Sequence, residues 1–279
     1  MKNCFLIVNC NDFKSTKHLV DNVINYGCID SILIVDNNSR EEEKELLSSL
    51  KGNKVEIIYN DDNLGYSYGI NIGAKHLINK YKNCNLIISN SDIVILSEED
   101  LTLLIRELGQ KSVGIVGPQI MELGGIRRGL KCVSPLVDLL YTTPVIRNLV
   151  PDNFVYYNDD YFNCDVSEVD VISSCFFLIT SETMKKINYL DESVFLYYED
   201  YILSKKIKNA GLRVKVLNIV KVKHLYSATV NKIIKNVDKF KLYKNSQYYY
   251  HTNYNDANRF ERYLLKLSRV IGIFIRNKK

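Results

Sequence analysis

The sequence predicts an α/β fold, in which a mostly parallel central sheet is flanked by helices and followed by a C-terminal helical tail. Three observations carry this expectation. Short apolar runs recur at residues 4–8, 31–35, 55–59 and 86–89, without the polar alternation of a half-exposed strand. Helical patterns fill the intervals, and strands alternating with helices in this way read as βα units of a parallel sheet buried on both faces. The last stretch, residues 259–276, sorts apolar and basic residues onto opposite sides of a helix.

Taken in order, residues 4–8 form a strand followed by a helix near 14–26. Residues 31–35 form the next strand, and a charged helix spans 41–50. Residues 55–59 lead into a helix over 68–81, and 86–89 continue the series. Ser97 followed by Glu98-Glu99-Asp100 has the form of a helix start, a Ser cap with acids in the first turn. Residues 113–116 are a further strand. Gly, Pro and Tyr break the rhythm over 117–165, which reads as irregular or inserted structure. Regularity returns with a long strand over 169–179, a helix over 198–210 stopped by Gly211 at its C′ position, and a strand over 213–219.

The 279 residues are enough to bury a full core, and the 46% apolar and 25% charged fractions are those of a soluble globular protein. The seven cysteines are odd in number, scattered and never in a Cys-x-x-Cys pair. That pattern suggests neither a disulfide framework nor a thiolate zinc site, and a reducing compartment is the simplest reading. Residues 4–8 are too short for a signal-peptide core, and no apolar run approaches the ~20 residues that span a bilayer. Charge is unevenly placed. From Tyr226 onward twelve Lys and Arg face three acids, a net +9; with +5 for the whole chain, the preceding 225 residues carry −4. A mildly acidic body with a basic tail directs the tail toward an anionic surface.

Several strand ends carry groups suited to ligand chemistry. The second strand ends in Asp36-Asn37-Asn38-Ser39, which suits either a helix-capping turn or a grip on a nucleobase edge or ribose hydroxyl. After the third strand, Asn63-Leu64-Gly65 precedes Gly69, Asn71 and Gly73. Glycines four apart on a helix allow close approach of a neighbour or of a ligand. Neither Gly-x-Gly-x-x-Gly nor a Walker-type Gly-Lys-Ser/Thr is present, which disfavours a dinucleotide dehydrogenase and a P-loop enzyme. The fourth strand stops in Asn90-Ser91-Asp92. In an open α/β sheet the ligand crevice lies at the carboxyl ends of strands, so Asp92 suits a divalent cation as well as a cap. His224 ends the basic stretch from Lys221; it is either an ordinary histidine or a ligand, and imidazole favours Mn²⁺ over Mg²⁺. Asp191, Glu192, Glu199 and Asp200 surround an aromatic-rich segment. Such acids are either partly desolvated and poised as a general base, or a solvated helix start.

Together, in order and spacing, Val35-Asp36-Asn37-Asn38-Ser39, Asn63-Leu64-Gly65, Asn90-Ser91-Asp92, Leu190-Asp191-Glu192, Tyr198-Glu199-Asp200 and His224 resemble the family 2 glycosyltransferases of GT-A fold. The similarity is closest to the rhamnosyltransferase-like branch and covers residues 3–227. The first strand ends in Val8-Asn9-Cys10-Asn11, where only Asn11 matches the usual run. The resemblance implies a Rossmann-like sheet with a nucleotide-sugar-binding half (1–116), an acceptor-binding and catalytic half of the same domain (117–228) and a basic helical extension (229–279). It implies a metal-dependent, inverting hexosyltransferase that uses Mn²⁺ or Mg²⁺ and moves a sugar from a UDP- or dTDP-sugar to a hydroxyl of a saccharide or lipid-linked saccharide, in cell-surface polysaccharide synthesis. By matching position, Asn11, Asp36, Asn38, Asn63, Gly65, Asn71 and Asn90 line the donor site, with Asp36 on the nucleobase. Asp92 binds the cation and His224 completes its site. Asp200 is the general base, with Glu199 and Asp191 shaping the acceptor side.

In the tail, Phe260, Tyr263, Leu264, Leu267, Ile271, Phe274 and Ile275 share one side of a helix, opposite Arg262, Arg269 and Arg276. This pattern suits an interfacial helix on an anionic bilayer, or a helix docked on the body or on a second copy in a homodimer. Nucleic acid is not expected, because Tyr248-Tyr249-Tyr250 has no basic groove around it in sequence. The corresponding location is the cytoplasm, peripheral on the inner face of the cell membrane. Two other classes compete: a sugar nucleotidyltransferase, whose Gly-rich, Arg-containing loop is missing from residues 9–14, and a catalytically silent sugar-nucleotide-binding or membrane-tethered protein.

Overall fold

A computed structural model describes residues 1–143, 146–225 and 236–277. The apolar runs and the helical patterns between them become β1 (Lys2–Asn9), α1 (Phe13–Val23), β2 (Ser31–Asn37), α2 (Glu41–Ser48), β3 (Val55–Asn60), α3 (Tyr66–Tyr81) and β4 (Cys84–Asn90). Next come β5 (Ile93–Ile95), α4 (Glu98–Leu108), β6 (Val113–Glu122), β7 (Gly125–Arg127) and α5 (Pro135–Tyr141). Three short 3-10 turns lead to β8 (Val166–Glu168), β9 (Phe176–Thr180), α6 (Ser181–Lys186), α7 (Glu199–Asn209) and β10 (Arg213–His224), and the tail forms α8 (Asn236–Asn253) and α9 (Arg259–Asn277).

The strands make one sheet in the order β3-β2-β1-β4-β9-β6-β10-β5, with β7 paired to β6 and β8 to β10. β3, β2, β1 and β4 are parallel; β9 runs antiparallel to both β4 and β6, and β10 is parallel to β6. The ends of β1, β2, β4 and β10 therefore share one edge of the sheet. Both faces of β1, β2 and β4 are buried, which explains the absence of alternation in their runs. Phe5 and Ile7 pack with Leu19 and Val23 of α1, Leu47 of α2 and Leu104 of α4. Leu6 packs on the other face with Ile70 and Leu77 of α3, Met184 of α6 and Ile207 of α7. Each such side chain contributes about 1.5–3 kcal/mol when fully buried, so the edge that carries the strand-end polar groups is anchored in the apolar core.

The structure corrects the sequence reading in the middle of the chain. The long strand expected over 169–179 is a strand only from Phe176; Val169 and Val171 are buried instead through isolated backbone bonds to Val214 and Leu130. β6 continues through Gly117 and Pro118 to Glu122, where irregular structure was expected. Pro118 is tolerated because it faces Leu217 of β10 at the register shift between Leu217 and Lys221, where the ladder is already interrupted.

Candidate active site

The loops after β1, β2 and β3 meet at the sheet edge. Asp36 is fully buried: Oδ1 accepts from Asn9 Nδ2 (2.7 Å) and Ser39 Oγ (2.5 Å), and Oδ2 accepts from the Ser39 N–H (2.9 Å). Its carboxylate thus organises the turn into α2, where Asn38 and Arg40 are exposed. Asn11 and Asn38 both adopt left-handed backbone (φ +52° and +56°), a conformation Asn tolerates well. Asn11 is fixed by Ser39 Oγ, which accepts its N–H at 2.7 Å. Asn63 Nδ2 faces Cys10 Sγ at 3.4 Å while its Oδ1 accepts the Gly65 N–H at 3.1 Å. Gly65 is obligatory in two ways, since φ is +106° and a Cβ would lie 2.5 Å from the Phe195 carbonyl oxygen. Gly69 and Gly73 approach side chains of β1 and β2, so they serve helix packing. Asn71 is buried away from these loops and bonds Leu190 through both its amide groups, with Glu192 Oε1 at 2.6 Å; it holds the acid-rich segment onto α3.

At the neighbouring strand ends, β5 pairs antiparallel with β10 in a register that sets Ile93 opposite His224. This pairing brings Asp92 to the histidine: Asp92 Oδ1 is 3.2 Å from His224 Nε2, and Glu122 Oε1 from the end of β6 is 3.3 Å from Nδ1. Burial pushes the His224 pKa down, but Asp92 and Glu122 outweigh it and hold the imidazole above its ordinary value. Among the described residues no cluster of three or more His, Cys, Asp or Glu is arranged as a metal cage. A carboxylate and an imidazole at a strand-end edge do fit a divalent cation that takes its remaining oxygen ligands from a diphosphate.

Glu199 and Asp200 open α7 after two consecutive left-handed residues, Tyr197 (φ +71°) and Tyr198 (φ +63°). Such non-glycine conformations each cost about 1–3 kcal/mol and persist only where surrounding structure enforces them. Glu199 Oε1 accepts from Ser174 Oγ (3.3 Å) and Oε2 is buried with no hydrogen-bond partner. Burial, reinforced by the charge of Asp200, pushes Glu199 up to about 7. Asp200 is also raised by burial, against the Tyr201 N–H at 2.9 Å and the charge of Arg127. Both acids line a cleft of about 400 Å³ together with Asn90, Arg127, Ser174 and His224. Asp191 does not line it; its carboxylate accepts from Tyr249 and Tyr254 hydroxyls (2.9 and 2.6 Å) and from the Ser193 N–H (2.8 Å), which fastens the preceding loop to α8.

The sequence reading missed the wall behind the acids. Asp138 of α5, itself buried, accepts at one oxygen from Tyr198 OH (2.6 Å), Gln247 Nε2 (2.7 Å) and His251 Nε2 (2.7 Å). Tyr243 OH lies 3.2 Å from Tyr198 OH, and Lys244 Nζ donates to Gln247 Oε1 at 2.8 Å with its pKa lowered by burial to about 8. The available signal was a lone acid inside the apolar run Leu136-Val137-Asp138-Leu139-Leu140, since a buried carboxylate requires partners.

The sheet order, with an Asp-His pair beside an acidic cleft at its carboxyl edge, defines a protein of the GT-A glycosyltransferase fold. The chain belongs to glycosyl transferase family 2, whose profile matches residues 4–164. It is 21% identical over 225 residues to the low-salt glycan biosynthesis hexosyltransferase Agl10 of Haloferax volcanii, covering 78% of this chain and 66% of that protein; the chain thus spans just under two thirds of that relative. Among solved structures, it is similar to GalNAc-T7 with UDP, GalNAc and Mn²⁺ (TM-score 0.61, 16% identity, 81% of this chain and 44% of that one). It is also similar to the mannosyltransferase PcManGT of Pyrobaculum calidifontis with GDP-Man and Mn²⁺ (TM-score 0.58, 11% identity, 96% and 69%). The S. aureus TarS 1–349 structure has a TM-score of 0.54 at 11% identity, with 91% and 72% covered.

Proposed function

We propose that the chain is an inverting hexosyltransferase that moves a sugar from a UDP- or dTDP-sugar to a hydroxyl of a saccharide acceptor, free or lipid-linked, in cell-surface polysaccharide synthesis. The observation that carries this reading is one cleft in which Glu199 and Asp200 share walls with Asn90 and His224, the latter paired to Asp92. A hexosyltransferase relative, and structural neighbours bound to UDP or GDP-mannose with Mn²⁺, support it.

In this reading Asn11, Asn38, Asn63 and Gly65 shape the donor's nucleoside side, and Asp36 holds their loops in register. Asp92 and His224 hold Mn²⁺ or Mg²⁺, which when bound neutralises charge on the departing diphosphate. Asp200 takes the proton of the acceptor hydroxyl as its oxygen bonds the sugar's anomeric carbon. The bond from that carbon to the diphosphate breaks on the opposite face, which inverts the configuration. Burial raises Glu199 to about 7, so below that pH it holds a proton and leaves Asp200 as the group that carries the negative charge.

The experiment is a panel of nucleotide sugars assayed for nucleoside diphosphate release with and without added Mn²⁺ or Mg²⁺, in the wild type and in Asp200→Asn. Turnover in the variant is expected to fall by ~10²–10⁴-fold while donor affinity survives. Donor binding by a wild type that never turns over would support the silent binding protein instead. Unchanged turnover in Asp200→Asn would remove the base assignment.

A further inference from the structure

The helix α9 is held to the body by one face and leaves another uncovered. Asn258 caps it, with Oδ1 accepting the Phe260 and Glu261 N–H groups while Glu261 Oε2 accepts the Asn258 N–H, so the helix start is firmly set. Leu265 is buried, Lys266 Nζ lies 5.2 Å from the Tyr248 ring centre, and Arg276 stacks 3.7 Å over Phe240 of α8. The opposite arc carries Phe260 (66% exposed), Tyr263, Leu267, Val270 (65% exposed) and Ile271, apolar and facing outward. Contiguous exposed apolar residues at helical spacing mark an interaction surface and not an ordinary protein exterior.

Charge selects the occupant. The helix carries five basic residues against the single acid Glu261, and Arg259 and Arg269 are exposed outside the contacts that hold the helix to the body. A second copy brought to this arc would set like charges against like, which opposes a dimer through it. An anionic bilayer accepts both features, with apolar side chains entering the headgroup boundary and cations meeting lipid phosphates. No helix among the described residues is long and apolar enough to cross a membrane, which leaves α9 the geometry of a helix lying in the interface plane.

We infer that α9 docks the protein on an anionic membrane surface through its Phe260–Ile271 arc. The arc residues do not line the cleft of Glu199 and Asp200, and the test reads binding alone, so the inference stands or falls apart from the enzymatic reading.

The full 279-residue chain is sedimented with vesicles of phosphatidylcholine alone and of phosphatidylcholine mixed with phosphatidylglycerol. The wild type is expected to pellet with the anionic vesicles and to be released as salt rises. Arg259→Glu with Arg269→Glu should weaken partitioning by roughly fivefold for each cation removed, or more. Val270→Asn with Ile271→Asn should reduce it at least as far without changing charge, and far-ultraviolet circular dichroism checks that both variants keep their helices. A wild type that stays in the supernatant with anionic vesicles overturns the proposal. So does a dimer by light scattering that the Val270→Asn, Ile271→Asn variant converts to monomer.

Discussion

His251 Nε2 lies 2.7 Å from Asp138 Oδ2, with both side chains buried and the two residues 113 positions apart in the chain. Asn255 Nδ2 faces the other ring nitrogen at 3.1 Å, which presents Nε2–H to the carboxylate. Burial alone would raise the Asp138 pKa, but His251, Tyr198 and Gln247 donate to it and hold it below the ordinary value. Through this one oxygen, α8 is tied to α5 and to Tyr198, the left-handed residue that aims Glu199 and Asp200 into the cleft.

Removal of either partner is expected to be costly. His251→Ala leaves a buried carboxylate short of one of its three donors, for which a loss of about 1–3 kcal/mol is expected, read from urea unfolding. Because Tyr198 shares the same oxygen, turnover should fall more than donor affinity in any variant that still folds. A stable His251→Ala protein with wild-type turnover would show that α8 does not position the acids.

The Glu199 environment sets a pH dependence of stability. Its folded pKa of about 7 lies above the ordinary 4.5, so between those values the folded protein keeps a proton that the unfolded chain has released. Stability therefore falls as pH rises through that window. Glu199→Gln removes this loss: the variant should melt higher than the wild type above pH 7 and match it near pH 4.5. Equal melting temperatures across the window would mean that the carboxyl is not raised.

Gly65 joins backbone conformation to the loops proposed to hold the donor. Gly65→Ala faces both φ +106° and the Phe195 carbonyl oxygen 2.5 Å from its Cβ. A loss of about 1–3 kcal/mol is expected from the conformation alone, with more from displacement of the Phe195 segment next to the acids. Thermal unfolding measures the first effect, and titration with nucleotide sugar the weakened donor affinity.

Much of the sheet was legible because both faces of β1, β2 and β4 are buried, which writes uninterrupted apolar runs into the sequence. Asp92 and the Glu199-Asp200 pair were legible too, since each marks the end or start of a regular element. β5, β7 and β8 were not, being three residues each. Their pairing is decided by partners far along the chain.

By itself the sequence determined the alternating βα architecture, the family resemblance and the residue types at each strand end, because these depend on patterns within a dozen or so neighbours. Tertiary structure decided which of those residues meet. The β5–β10 register joins Asp92 to His224, Asp36 turns inward to cap its own loop, and Asp191 goes to α8 while Asp138, unremarked in the sequence, takes up position behind the acids. A carboxylate's role depends on what desolvates it and what donates to it, and those groups come from segments that only the folded chain brings together.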